Sequence, residues 1–128
     1  MKPVLCTFVI CDRVTSKQGK FSLEGVFYRI HPLLYPAKYK CFLVVGWCGV
    51  PGTYRFGLRF LAPGGRVTLE INDFQFSIGP SSPYHNTIIN AELPLPEEGI
   101  YNFEIYLEGE PAGRFPLHVI TAPAGIKQ

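Results

Sequence analysis

From Gly99 to Val119 the chain reads GIYNFEIYLEGEPAGRFPLHV, two runs of alternating apolar and polar residues joined by a turn that carries Gly and Pro. Successive side chains of a strand point to opposite faces, so such a run is written for a sheet with one face buried. Tyr101, Phe103, Ile105 and Leu107 fall on one side, and Asn102, Glu104, Tyr106 and Glu108 on the other. The segment is a β-hairpin, and no stretch of the chain carries a helical period of useful length.

The same period recurs upstream. Pro3–Cys11 is a first strand, with Val4, Cys6, Phe8 and Ile10 on one face and Leu5, Thr7, Val9 and Cys11 on the other. Both faces are nearly apolar, as in a strand covered on both sides or lying at a subunit contact. Polar Asp12–Lys20 reads as a loop, and Phe21–Ile30 as a strand bent at Gly25. The prolines of His31–Lys38 make it a connection; Tyr39–Gly49 is the next strand and Val50-Pro51-Gly52 a tight turn.

Tyr54, Phe56, Leu58 and Phe60 line one face of a further strand. After Pro63-Gly64-Gly65, Arg66–Ile71 and Asn72–Gly79 read as two short strands divided at the turn-prone Asn72-Asp73 pair. Pro80–Asn86 (PSSPYHN) is the clearest loop, Thr87–Leu93 a strand ended by Pro94 and Pro96, and residues 121–128 a loose tail. Turn signals at roughly ten-residue intervals predict a single all-β domain over residues 1–128, a two-layer immunoglobulin-like or jelly-roll sandwich of about nine strands.

Composition narrows the function classes. Charged residues are only 17% of the 128 and the net charge is +2, with Lys and Arg scattered among acids, which argues against nucleic acid as a partner. No apolar run approaches the roughly 20 residues of a membrane helix. The opening apolar run stops at Asp12 without a small-residue cleavage site, so the cytoplasm is the default compartment and no membrane partner is expected. Cys6, Cys11, Cys41 and Cys48 stand at C-x4-C and C-x6-C spacing, wider than the usual zinc knuckle, and are read as free thiols with no metal and no cofactor.

No catalytic constellation is written in the chain. The serines lack a G-x-S-x-G elbow, the carboxylates sit in or beside turns, and His31, His85 and His118 stand far apart without an H-x-H pair. The reading is therefore non-enzymatic, with no catalytic residues. Exposed aromatic residues offer two other roles: an interface, or rings on which a small ligand or a carbohydrate stacks. Trp47, Tyr84, His85 and Tyr106 are the candidate ligand-binding residues, Tyr84 and His85 because loops held by a rigid scaffold concentrate function.

The strand ending in Cys11-Asp12, the segment GKFSLEGVFYRI (Gly19–Ile30) and the closing Gly99–Val119 hairpin resemble a bacterial family of uncharacterised single-domain β-sandwich proteins of about this length. The resemblance spans nearly the whole chain, implies an immunoglobulin-like sandwich, and carries over no functional residue. With two-sided apolar strands and no catalytic set, the expectation is a binding or assembly module that acts through a protein partner or self-association.

Overall fold

In the computed structural model, which describes residues 2–123, the alternation becomes nine strands and, among the described residues, no helix. They are β1 (Val4–Lys17), β2 (Lys20–Val26), β3 (Arg29–Ile30), β4 (Ala37–Cys48), β5 (Gly52–Leu61), β6 (Val67–Ile78), β7 (Tyr84–Leu95), β8 (Gly99–Leu107) and β9 (Glu110–Val119). Sheet A has the order β2-β1-β4-β7 and sheet B the order β3-β9-β8-β5-β6. Neighbours pair antiparallel, apart from the short parallel contact of β3 with β9.

The inner faces meet in one apolar core. Sheet A contributes Ile10, Leu43, Val45, Trp47, Ile89 and Leu93, and sheet B answers with Phe56, Leu58, Phe60, Tyr101, Phe103 and Ile105. Trp47 is fully buried, its ring centroid 5.4 Å from Phe76 in a stacked pair and 5.6 Å from Phe56. Its indole Nε1 has no hydrogen-bond partner among the described residues.

The strand count agrees with the reading of the sequence, but two boundaries moved in compensating directions. Asn72-Asp73 does not divide two strands. The pair forms a β-bulge opposite Gly57, between Phe56↔Phe74 and Leu58↔Ile71, with Asp73 in the left-handed region at φ 61°. Asp73 takes the left-handed backbone that turn-prone residues tolerate, but the ladder to β5 continues past the pair. Conversely, the expected Phe21–Ile30 strand divides: the chain leaves sheet A after Val26 and joins sheet B at Arg29. Gly25 (φ 68°) stands just before the break, and the Asp12 carboxylate occupies the space where its Cβ would lie.

Three loop expectations are corrected by main-chain pairing. Asp12–Lys17 extends β1 and pairs with β2 around a two-residue turn, Gln18-Gly19, whose φ values of 53° and 75° are both left-handed as a type I′ hairpin requires. Within Pro80–Asn86, residues Tyr84, His85 and Asn86 belong to β7, because Cys48, Trp47 and Gly46 of β4 supply their ladder partners. Pro94 does not end that strand, since β7 is an edge and tolerates a residue without an N–H. The tail is tied down at its start: Thr121 Oγ1 donates to Glu98 Oε2 at 2.8 Å, and the Ala122 N–H donates to the Pro32 carbonyl at 2.9 Å. Residues 124–128 of that expected tail lie outside the described residues.

Two substitutions test this packing. Gln18→Asn puts a residue that tolerates left-handed backbone into the type I′ turn and should raise stability by about 0.5–1 kcal/mol in urea denaturation. Trp47→Ala should lower it by about 3–5 kcal/mol. An unchanged midpoint for Trp47→Ala would contradict the placement of this ring at the centre of the core.

Candidate interaction surface

Because the inner faces bury each other, the outer faces are what the molecule presents, and the two differ in chemistry. On sheet B, Arg55, Gly57 and Arg59 of β5 face outward beside Asn102, Glu104 and Tyr106 of β8. The registers Glu70↔Arg59, Arg59↔Glu104 and Glu104↔Arg114 lay alternating charges across β6, β5, β8 and β9. Arg59 Nε donates to Glu70 Oε2 at 2.6 Å, and Arg114 pairs with Glu104. Tyr106 lies beneath the Arg59 guanidinium, 4.9 Å from ring centroid to cation, and its hydroxyl donates to Glu104 Oε1 at 2.6 Å. That bond pushes the Tyr106 phenol up from its ordinary pKa. Such exposed pairs contribute little to stability, since water screens them; they suit a face that stays in water.

The outer face of sheet A is apolar at its centre. A β-bulge at Cys6 shifts the phase of β1, so that Leu5 joins Phe8 and Ile10 toward the core while Thr7, Val9 and Cys11 face outward. This corrects the expected phase, which had Leu5 with the outward set and Cys6 with Phe8. Three cross-strand rows follow from the ladders: Val26–Cys11–Phe42–Asn90, Val9–Val44–Ile88 and Thr7–Gly46–Asn86. Gly46 has no room for a side chain, since a Cβ there would lie 2.6 Å from Asn86 Oδ1 and 2.9 Å from the Thr7 Cβ. Beyond the first row come the cross-strand pairs Arg13↔Glu24 and Lys40↔Glu92. No strand among the described residues packs over this face.

The four residues proposed from the sequence do not converge. Trp47 is corrected outright, because the odd-numbered residues of β4 face the core and leave it no exposed surface. His85, its register partner, also turns inward; it is half-buried and stacked 5.4 Å from Phe76, with Nε2 3.2 Å from Thr87 Oγ1. Tyr84, 65% exposed, stands on the outer face of sheet A, and Tyr106 on that of sheet B. Alternation therefore sends the neighbours Tyr84 and His85 to opposite faces. The apolar rows of sheet A are the feature that the site residues missed, although the two-sided apolar character of β1 and β4 had signalled it.

Sheet B carries a second feature, a groove of about 550 Å³ lined by Arg55, Gly57, Arg59, Asn72, Asp73, Tyr106 and Glu108. Asp73 and Glu108 line it with left-handed backbone, at φ 61° and 50°. Among the described residues no three His, Cys, Asp or Glu side chains are placed to hold a metal ion.

Two titrating groups join β1 to β4 near the charged end of sheet A. Tyr39 donates its hydroxyl to Asp12 Oδ1 at 2.7 Å; burial and then this bond push the phenol up to about 12. Burial, with the nearby Cys11 and Asp12, also pushes the Cys41 thiol up to about 12. In the unfolded chain the two groups return to 10.0 and 9.0. Raised values mean that the folded state holds these protons more tightly, so the stability they contribute is complete below about pH 9 and is lost as pH rises toward about 12. Urea unfolding between about pH 8 and about pH 11.5 should show this decline, with a shallower slope in Tyr39→Phe; an identical slope in the variant would exclude Tyr39 as a source.

The sequence profile of a family described only as being of unknown function (DUF6941) matches residues 6–120. No curated protein matches the chain. Among solved structures it is similar to part of the Pseudomonas fluorescens alkylpurine DNA glycosylase AlkC, solved on DNA with an abasic site analog, at 10% identity and a TM-score of 0.48. That likeness covers 89% of this chain but only 30% of the glycosylase. The CARDB domain of a Pyrococcus furiosus protein, solved with two metal ions, is 12% identical over 94% of this chain and 96% of its own, with a TM-score of 0.48. An immunoglobulin-like protein of Pseudomonas aeruginosa is 10% identical over 93% of this chain and 97% of its own, with a TM-score of 0.47.

Proposed function

The chain belongs to DUF6941, a family of unknown function, and from the contrast between its outer faces we propose that it is a non-catalytic assembly module that pairs with a second copy of itself through sheet A. The observation that carries this reading is the pair of rows Val9–Val44–Ile88 and Cys11–Phe42, apolar side chains facing away from the core with no strand above them among the described residues; Val9, Phe42 and Ile88 keep exposed surface, while Cys11 and Val44 are buried among their neighbours. Asparagine, threonine and paired charges surround them, which is the pattern of an apolar interface centre with a polar rim.

The rim also favours a like partner. Charges gather at one end of the face, as Arg13, Glu24, Lys38, Lys40 and Glu92, whereas the other end carries uncharged Thr7, Asn86 and Tyr84. A two-fold axis in the plane of the face and across the strands sets each charged end over the uncharged polar end of the other copy. Like charges then never meet. Four strands and about eight residues of length give a face of roughly 20 by 25 Å. With side-chain relief, that is on the scale of the ~800 Å² each partner contributes to a standard interface.

Light scattering after size exclusion should give twice the 14.3 kDa chain mass for the wild type. Ile88→Glu and Val9→Glu, at half-buried outward positions, should give the single-chain mass with an unchanged circular dichroism spectrum. A strictly monomeric wild type at high protein concentration would overturn this reading.

The groove on sheet B favours a second reading, a polar small ligand or sugar held by Arg55, Asn72, Asp73 and Tyr106. A thermal-shift screen against monosaccharides and small carboxylates tests it. A stabilising hit that disappears in both Arg55→Ala and Tyr106→Ala would support it, and a screen without hits would remove it.

A further inference from the structure

The bulge that sets the phase of β1 also brings two thiols together. Val4 pairs with Cys48 and Leu5 with Trp47, after which the ladder skips Cys6 and resumes at Thr7↔Gly46. Cys6 is the inserted residue, one diagonal step from Cys48 across the strand pair, and this neighbouring thiol pushes the Cys48 thiol up from its ordinary pKa. The two differ in access, Cys6 being exposed and Cys48 half-buried. Thr7 Oγ1 lies 4.0 Å from Cys6 Sγ and donates to it. The other two cysteines are buried, so a solution reagent has far better access to Cys6.

We infer that Cys6 and Cys48 form a reversible disulfide, with Cys6 as the attacking thiol and Cys48 as the resolving one. A disulfide spans Cα separations of about 4.4–6.8 Å, and the extra residue of the bulge shortens the diagonal from Cys6 to Cys48 on the neighbouring strand. The oxidant is a low-molecular-weight disulfide such as oxidised glutathione. The Cys6 thiolate attacks one sulfur of the reagent, giving a mixed disulfide on Cys6 and releasing one reduced thiolate. Cys48 then gives up its proton and attacks the Cys6 sulfur as the thiolate. The second reagent thiol leaves with the Cys48 proton. Two protein thiols are oxidised and one reagent disulfide is reduced to two thiols. The product staples β1 to β4 beside Tyr84, at the uncharged end of the outer face of sheet A.

The test uses the full chain with oxidised glutathione, followed by intact-mass spectrometry without reductant. The wild type should lose two hydrogens, carry no retained glutathione, and recover its starting mass with dithiothreitol. Cys48→Ser should stall with one glutathione on Cys6, and Cys6→Ser should show neither product. The stalled adduct in Cys48→Ser also shows that loss of the bridge does not come from misfolding. Accumulation of glutathionylated wild type, disulfide-linked dimers through Cys6, or an internal bridge persisting in either variant would overturn the assignment.

Discussion

The sandwich is arranged around β4, a strand bonded on both sides and apolar on both faces. Its main chain is satisfied by β1 and β7, so neither edge needs water. Its inward residues Cys41, Leu43, Val45 and Trp47 are buried in the core, and its outward residues Phe42 and Val44 are largely removed from water by neighbours in their own sheet. A strand of this kind is stable in the middle of a sheet and costly anywhere else. β1 must lie beside it with a matching outward set, and sheet B must cover Trp47 with Phe56 and Phe76.

That constraint reaches the surface. Sheet B completes its outer face with a ladder of opposite charges, which keeps four strands in register while remaining in water. Sheet A completes its outer face with valine, isoleucine, phenylalanine and cysteine. The asymmetry is not a need of the core, which is already closed between the sheets. The bulge at Cys6 joins the two requirements: it returns Leu5 to the core and leaves Cys6 at the surface beside Cys48.

Strand-rich architecture, two layers and the inward set Phe56, Leu58, Phe60, Tyr101, Phe103 and Ile105 were legible because a period of two needs only local sequence. The misreadings have a common source. Asn72-Asp73 has the composition of a turn, and Asp73 does adopt left-handed backbone, yet the neighbouring ladder carries the strand through it. Tyr84, His85 and Asn86 have the composition of a loop and become strand because β4 is long enough to pair with them. Trp47 was placed outward since a strand apolar on both faces does not announce which face is the core. The candidate surface was half legible: two-sided apolar strands pointed to it, but the chosen aromatic residues are dispersed by alternation over both faces and the interior.

What the sequence determined by itself is the alternation, and with it an all-β chain whose hairpins close locally around Gln18-Gly19 and Glu108-Gly109. These depend on side-chain direction and turn chemistry within a few residues. Tertiary structure decided which of two apolar faces is buried, where single inserted residues shift the phase, and which distant residues share a row. The physical reason is that pairing partners lie tens of residues away. One bulge reverses the facing of everything beyond it, and only the packed sheets select the register that buries Trp47 and leaves Val9, Val44 and Ile88 outward.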